Sequence, residues 1–383
     1  MSVKFETRCI HGVPETALTD SNRSISFPIY QTASFSHIMT GHNASGFDYT
    51  RESNPTRQRV EEVVASLEYA AHAVAFTSGM AAVSAVMELF EPGDEVVCSE
   101  DLYGGVIRLH SIVNSKNGIT LQYADTSDIE KTTGLITDRT RALYIETPSN
   151  PMMNITDIRA VAELAYDRGL LLIVDNTFLS PYFQNPLKLG ADIVIHSGSK
   201  FLAGHNDTIS GFVCTNDKDI AERTRLISKT TGAALSPFDS WLVMRGVKTL
   251  AVRMERQQEN AIKLARALVA HPRVKRVLYP GLETHAGYEV NRGQSRGFGS
   301  MISFDVDSPE TAERVLKRVK LIIFAESLGG TESLITYPVL QTHPDVPKEM
   351  RDRLGITETL LRISVGLEDA EDIIADLTQA LEG

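Results

Sequence analysis

Lys200 is the residue in this sequence best placed to act as a nucleophilic amine. It follows the apolar, β-branched run Asp192-Ile193-Val194-Ile195-His196 and the small hydroxyl loop Ser197-Gly198-Ser199, and it precedes Phe201-Leu202-Ala203-Gly204. The run reads as a buried strand that breaks at the serines. Desolvation at the end of such a strand lowers a lysine pKa toward neutrality, and the free amine can then form a Schiff base. A solvated lysine on a turn is the alternative. A second apolar strand, Leu170-Leu171-Leu172-Ile173-Val174, ends in Asp175-Asn176 and reaches the lysine strand through Leu187-Lys188-Leu189-Gly190. Acid and amine thus stand at the ends of successive strands, and open α/β sheets bind ligands outside the carboxyl ends of their strands.

An aspartate to pair with a pyridinium nitrogen and a lysine to take an aldehyde are what a protein supplies to pyridoxal phosphate. Other segments offer the remaining contacts. Ala73-Val74-Ala75-Phe76-Thr77-Ser78-Gly79 reads as a strand, a Ser-Gly turn and the start of an alanine-rich helix. Free N–H groups at such a start suit a phosphate, and Gly79 lets the backbone approach closely. An ordinary strand-to-helix turn would look the same, and neither G-x-G-x-x-G nor a Walker lysine is present. Tyr103, in the loop Asp101-Leu102-Tyr103-Gly104-Gly105, could stack on a flat ring and present a hydroxyl, or simply pack. Asn150 falls just past the strand Ala142-Leu143-Tyr144-Ile145-Glu146. Arg362 is a charge inside the apolar run Leu360-Leu361-Arg362-Ile363. A buried arginine needs an anion, either a substrate carboxylate or a structural ion-pair partner.

The elements that position these residues fall into three parts. Residues 1–55 lack a helix or strand period and are punctuated by Pro28 and Ser53-Asn54-Pro55, as in an extended arm that needs another surface. Tyr49 and Arg51 alternate near its end and could face one ligand; a solvated arm is the alternative. Residues 56–240 alternate strand and helix, which predicts an α/β domain with a mostly parallel sheet. A helical stretch from Ser240 to about Val269 then leads into a smaller α+β domain over 241–383.

Composition narrows the function. The chain has 383 residues, a formal net charge of −11, 42% hydrophobic and 23% charged residues. That is an ordinary globular composition, and the acidic balance disfavours nucleic acid and anionic membranes as partners. No apolar run approaches the ~20 residues of a membrane span. Cys9, Cys98 and Cys214 are scattered without a C-x-x-C pair, so neither a metal site nor a disulfide framework is expected, and a reducing cytoplasm is the simplest compartment.

Taken together the sequence resembles the Cys/Met-metabolism pyridoxal-phosphate enzymes of the cystathionine γ-synthase and γ-lyase type. The matching segments include Tyr49-Thr50-Arg51-Glu52-Ser53-Asn54-Pro55, Ser78-Gly79-Met80, Tyr103-Gly104-Gly105, Glu146-Thr147-Pro148-Ser149-Asn150-Pro151, Asp175-Asn176-Thr177-Phe178, His196 to Lys200, Glu326-Ser327-Leu328-Gly329-Gly330 and Leu361-Arg362-Ile363-Ser364. The resemblance implies the fold of the aspartate aminotransferase-like, fold type I enzymes. It assigns the cofactor linkage and proton transfer to Lys200, the pyridine nitrogen to Asp175 and ring stacking to Tyr103. The phosphate falls to Gly79, Met80, Ser197 and Ser199, with Tyr49 and Arg51 arriving from a neighbouring subunit. Arg362 would clamp a substrate α-carboxylate, helped by Asn150 and Ser327. A homotetramer built of two active-site dimers is the assembly implied, and amino acids are the substrates.

Within the family, Gly105 stands where methionine γ-lyases carry cysteine. Glu326 resembles the acidic residue that would attract the distal amino group of cystathionine; an ion pair at the mouth is the alternative. Phe238-Asp239-Ser240-Trp241-Leu242 and Thr336-Tyr337-Pro338-Val339-Leu340-Gln341-Thr342-His343 are similar to bacterial cystathionine γ-synthases. The expectation is therefore γ-replacement on an O-acylhomoserine by cysteine, ahead of cystathionine γ-lyase, methionine γ-lyase or cystathionine β-lyase chemistry. Glu52 departs from the family's small or basic residue and could alter distal substrate preference. Ser197-Gly198-Ser199-Lys200 also spells the S-x-x-K of penicillin-binding serine hydrolases, but S-D-N and K-T-G are missing. A binding protein without catalysis on this fold is the remaining alternative.

Overall fold

The computed structural model describes residues 3–12, 22–40, 42, 43, 45–344 and 346–383. Two short strands, β1 (His37–Met39) and β2 (His42–Asn43), form a hairpin in the N-terminal segment. The main sheet holds β3 (His72–Phe76), β4 (Glu95–Ser99), β5 (Thr120–Ala124), β6 (Thr140–Glu146), β7 (Leu171–Asp175), β8 (Ile193–Ser197) and β9 (Gly211–Thr215). Their order is β3-β9-β8-β7-β6-β4-β5. Neighbours from β8 to β5 are parallel, and β9 alone runs against both of its neighbours. This is the mostly parallel α/β sheet expected. Its central strands are apolar on both faces because helices cover both. Leu172, Val174, Val194 and Cys214 pack in one core with the helix Pro55–Glu68, while Ile173, Ile193, Ile195 and Val213 pack in the other with the helix Gly79–Met87.

A second sheet contains β10 (Val274–Leu278), β11 (Met301–Val306), β12 (Ile323–Phe324), β13 (Leu334–Thr336) and β14 (Leu360–Ser364) in the order β10-β11-β14-β13-β12. Its core takes Leu264 and Leu268 from the helix Leu250–Ala270, Val315 from Pro309–Arg318 and Leu377 from Ala370–Glu382. The helix Leu250–Ala270 also ties the two sheets together through polar side chains. Arg253 Nη1 donates to the Phe201 carbonyl (2.8 Å), Gln257 Nε2 to that of Gly330 (2.6 Å) and Asn260 Nδ2 to that of Glu368 (2.7 Å). No helix among the described residues is long and apolar enough to cross a membrane.

Three features depart from the sequence reading. The N-terminal segment is not irregular throughout. Phe5–His11 is a helix that buries Phe5 and Cys9 on this same chain, with the Phe5 ring edge-on to Tyr182 at 5.4 Å. Seven residues are too few for a hydrophobic period to show. The helical stretch expected from Ser240 to about Val269, with Gly246 interrupting near its start, is two separate helices, Pro237–Val247 and Leu250–Ala270. The break follows from Gly246, whose carbonyl takes Thr249 Oγ1 (3.0 Å) and Arg253 Nη2 (2.9 Å), and whose missing side chain makes room for the Ala203 carbonyl. Finally, the polar stretch after β9 is the helix Lys218–Thr231. It was illegible because Thr224 and Ser228 form part of its buried stripe.

Candidate active site

A cavity of about 1120 Å³ opens at the carboxyl ends of β7 and β8 and is closed on the far side by residues of the second sheet. Lys200 lies in its wall. The turn after β8 is held by Lys200 N–H to the Ser197 carbonyl (3.2 Å) and Ala203 N–H to that of Gly198 (3.0 Å). Burial, reinforced by the nearby Arg362 charge and opposed by Glu326, pulls the Lys200 amine down to about 8. Its Nζ donates to Ser327 Oγ at 2.9 Å, not to Ser197. Ser327 itself sits at φ 97°, a region non-glycine residues rarely occupy.

Asp175 lines the same cavity at the end of β7. Burial pushes its carboxyl up, against the pull of the Thr177 hydrogen bonds, including Thr177 N–H at 2.9 Å. Thr177 Oγ1 in turn accepts from Ser197 N–H (2.9 Å), so one threonine fixes the acid and the loop leading to the lysine. Gly79 and Met80, at the start of their helix, also line the cavity, together with Ser197 and Ser199. Ser78 caps the helix by accepting from Ala81 N–H at 3.0 Å. A Cβ on Gly79 would come within 2.9 Å of Ser197 Cβ, so glycine is what lets the helix start meet the strand end. The Ser199 hydroxyl is already engaged with Ser210, donating to its carbonyl (3.2 Å) and accepting from its N–H (2.9 Å).

Across the cavity, Arg362 on β14 is buried. Its Nη1 donates to Asn150 Oδ1 (2.6 Å) and its Nη2 to Thr336 Oγ1 (3.2 Å) and the Ser327 carbonyl (3.4 Å). Its Nε has no hydrogen-bond partner, and among the described residues Arg362 makes no ion pair. Burial draws its pKa down to about 10. Glu326 and Tyr103 line the cavity as well, and Tyr103 N–H donates to Glu146 Oε2 at 3.0 Å. Burial and the adjacent Asp175 raise the Glu146 carboxyl well above its usual range.

The structure therefore gathers Lys200, Asp175, Tyr103, Gly79, Met80, Ser197, Ser199, Asn150, Ser327, Arg362 and Glu326 around one space. It does not bring Tyr49 and Arg51 there. Both are on the exposed arm, where the Arg51 guanidinium lies 5.5 Å from the Tyr49 ring centre and Nη1 donates to the Lys229 carbonyl (2.7 Å). Glu52, on the same arm beside Arg51, pairs with Lys229 at 2.7 Å and, like Tyr49 and Arg51, is not in the cavity wall of its own chain. Sequence reasoning gave no role to Thr177 or Glu146. The spacing Asp175-x-Thr177 suits a carboxylate that accepts from the backbone two residues on, and Glu146 was visible as a charge ending an apolar strand.

The donor set fits pyridoxal phosphate. A lysine of lowered pKa and a buried carboxylate share a cavity with a glycine-started helix terminus, as an aldehyde, a pyridine nitrogen and a phosphate require. The profile of the Cys/Met metabolism PLP-dependent enzymes matches residues 6–382. Cystathionine gamma-lyase of Bacillus subtilis (strain 168) is 47% identical over 382 residues, spanning 99% of this chain and all of that one. Cystathionine gamma-synthase/O-acetylhomoserine (thiol)-lyase of the same organism is 47% identical over 358 residues, spanning 94% of this chain and 91% of that one. The crystal structure of cystathionine gamma-lyase from Lactobacillus plantarum, complexed with L-serine, superposes with a TM-score of 0.96 at 41% identity, covering 99% of each chain. A lysine at a strand end with an aspartate beside it thus has its explanation in descent as well as in chemistry: the chain belongs to the Cys/Met metabolism PLP-dependent enzymes.

Proposed function

We propose that this enzyme carries out trans-sulfuration at Cγ of a four-carbon amino acid, with cystathionine γ-synthase activity, the replacement of the acyl group of an O-acylhomoserine by cysteine, as its main reaction. The observation that carries the reading is Arg362. It is a buried guanidinium without an ion pair among the described residues, its Nε unpartnered, in the cavity that also holds Lys200 and Glu326. A substrate α-carboxylate supplies the missing anion. Glu326 stands beside Ser327 and suits the ammonium of the incoming cysteine.

When bound, pyridoxal phosphate supplies the aldehyde that Lys200 and the substrate amine take in turn, and the ring that withdraws negative charge from Cα. The chain supplies the rest. Asp175 would hold the ring nitrogen, Tyr103 would stack on the ring, and the Gly79 and Met80 N–H groups with Ser197 would hold the phosphate; Ser199, expected there too, would first have to release its hydroxyl from the Ser210 carbonyl. Lys200 Nζ, released by the substrate amine and kept near neutrality by burial, removes the Cα proton. Lys200 Nζ, having passed the first proton on, takes a second from Cβ, and the γ-substituent departs with a proton from the Tyr103 hydroxyl or from Tyr49 of a second copy; the cysteine thiol then adds at Cγ, its proton returning to that tyrosine, and Lys200 returns protons to Cβ and Cα. The arm of that copy brings Tyr49 and Arg51 to the phosphate, which accounts for their absence from the cavity of their own chain.

Cystathionine γ-elimination is the second reading, favoured by the end-to-end match to the Bacillus subtilis γ-lyase. The enzyme is incubated with O-acetylhomoserine plus cysteine, and separately with cystathionine alone. Cystathionine from the first mixture is expected. Ammonia, cysteine and 2-oxobutanoate from the second mixture, with no product from the first, would reverse the order, and no turnover in either would reject both.

A further inference from the structure

Thr342-His343 belongs to a segment that the proposed reaction leaves without a role, yet it is built into the substrate side of the cavity. His343 is 1% exposed. Its Nε2 lies 3.1 Å from the carbonyl oxygen of Asn150, and its Nδ1 lies 2.8 Å from Thr342 Oγ1. A carbonyl can only accept, so Nε2 carries the hydrogen. Nδ1 is then the acceptor of the Thr342 hydroxyl hydrogen. Burial and the neighbouring Arg362 charge draw the His343 pKa down to about 4, which agrees with this neutral tautomer. Thr342 is fixed from the other side as well: its carbonyl occupies the space where Gly104 would carry a Cβ, immediately after Tyr103.

We propose that His343 is a positioning residue for the α-carboxylate site: its Nε2–H pins the Asn150 carbonyl, so that the Asn150 side-chain oxygen stays where it holds Arg362 Nη1. Each link is a hydrogen bond, His343 to Asn150 at 3.1 Å and Arg362 to Asn150 at 2.6 Å. Asn150 lies in the loop following β6 and has no helical or sheet hydrogen bonds to fix it there. Arg362 is anchored by its strand, whereas the Asn150 carbonyl, outside any strand or helix, is held by the imidazole. The inference rests on the reading of Arg362 as the carboxylate clamp.

The test separates the two. Inhibition constants are measured for L-2-aminobutyrate and for propylamine, the same skeleton without the carboxylate, on the cofactor-loaded enzyme. His343→Leu is expected to weaken 2-aminobutyrate about tenfold, the scale of one lost hydrogen bond, and to leave propylamine and cofactor content unchanged. The kcat/KM loss should fall on KM. Should the leucine variant fail to fold, two polar variants decide the matter. His343→Gln places an amide N–H near the position of Nε2 and is expected to keep the preference for the carboxylate. His343→Asn does not reach and is expected to lose it. Equal losses for both probes, or none, in variants whose companion Arg362→Leu does lose the carboxylate preference would overturn the role of His343 alone. Retention of that preference by Arg362→Leu would overturn the clamp and the inference together.

Discussion

Burial decides when the Lys200 amine is reactive. An exposed lysine is protonated through the neutral range, whereas here the amine is drawn from 10.5 to about 8. The neutral fraction is the nucleophile; it is half at the pKa and nears completion about one pH unit above it. Capture of pyridoxal phosphate by the cofactor-free enzyme should therefore accelerate with pH through a midpoint near 8, not near 10.5, when followed by absorbance; Lys200→Ala should leave no borohydride-stable link at any pH. Lys200, Asp175 and Arg362 were legible in the sequence because each is a charge set against an apolar β-branched run, where burial has to be compensated. Glu146 was visible on the same ground but without a role, and Thr177 and His343 were not. Their significance lies in hydrogen bonds to residues brought close only by the fold, such as His343 to Asn150.

At the scale of elements, the site depends on how closely a helix start can approach a strand end. Gly79 meets Ser197 with no room for a side chain. Gly79→Ala should push the helix Gly79–Met87 away from β8, lowering stability by about 1–3 kcal/mol, the usual cost of overpacking. The cofactor dissociation constant should rise with it, while Ala81→Gly two residues on, away from the cavity wall, should leave cofactor affinity unchanged; equilibrium dialysis and thermal melts report both. The strands of the main sheet were readable because two-sided burial makes them continuous apolar runs. The helix Lys218–Thr231 and the break between Val247 and Leu250 were hidden because polar groups, Thr224 in one case and the Gly246 carbonyl in the other, take part in the packing.

The whole molecule leaves Tyr49 and Arg51 outside their own cavity, and the N-terminal segment exposes Ile25, Ile38 and Met39. If a second copy receives this arm, two inactive variants should complement each other. Equal amounts of a Tyr49→Phe, Arg51→Ala double variant and of Lys200→Ala, mixed after mild dissociation, should recover about a quarter of the wild-type rate, because half the pairs are mixed and each mixed pair has one intact site. No recovery despite demonstrated subunit exchange would rule out delivery of this arm to the site of a second copy.

One helix face, Arg253, Gln257 and Asn260, grips the turn carrying the amine, the loop carrying Ser327 and the segment beyond Arg362. The two jaws of the site are thus tied to one frame, and the gap between them should be set before any molecule arrives. An amino acid one carbon too short or too long would then meet that gap with its breakable bond out of register, and kcat/KM across a series of chain lengths should peak at a single span, as with a caliper locked at one setting.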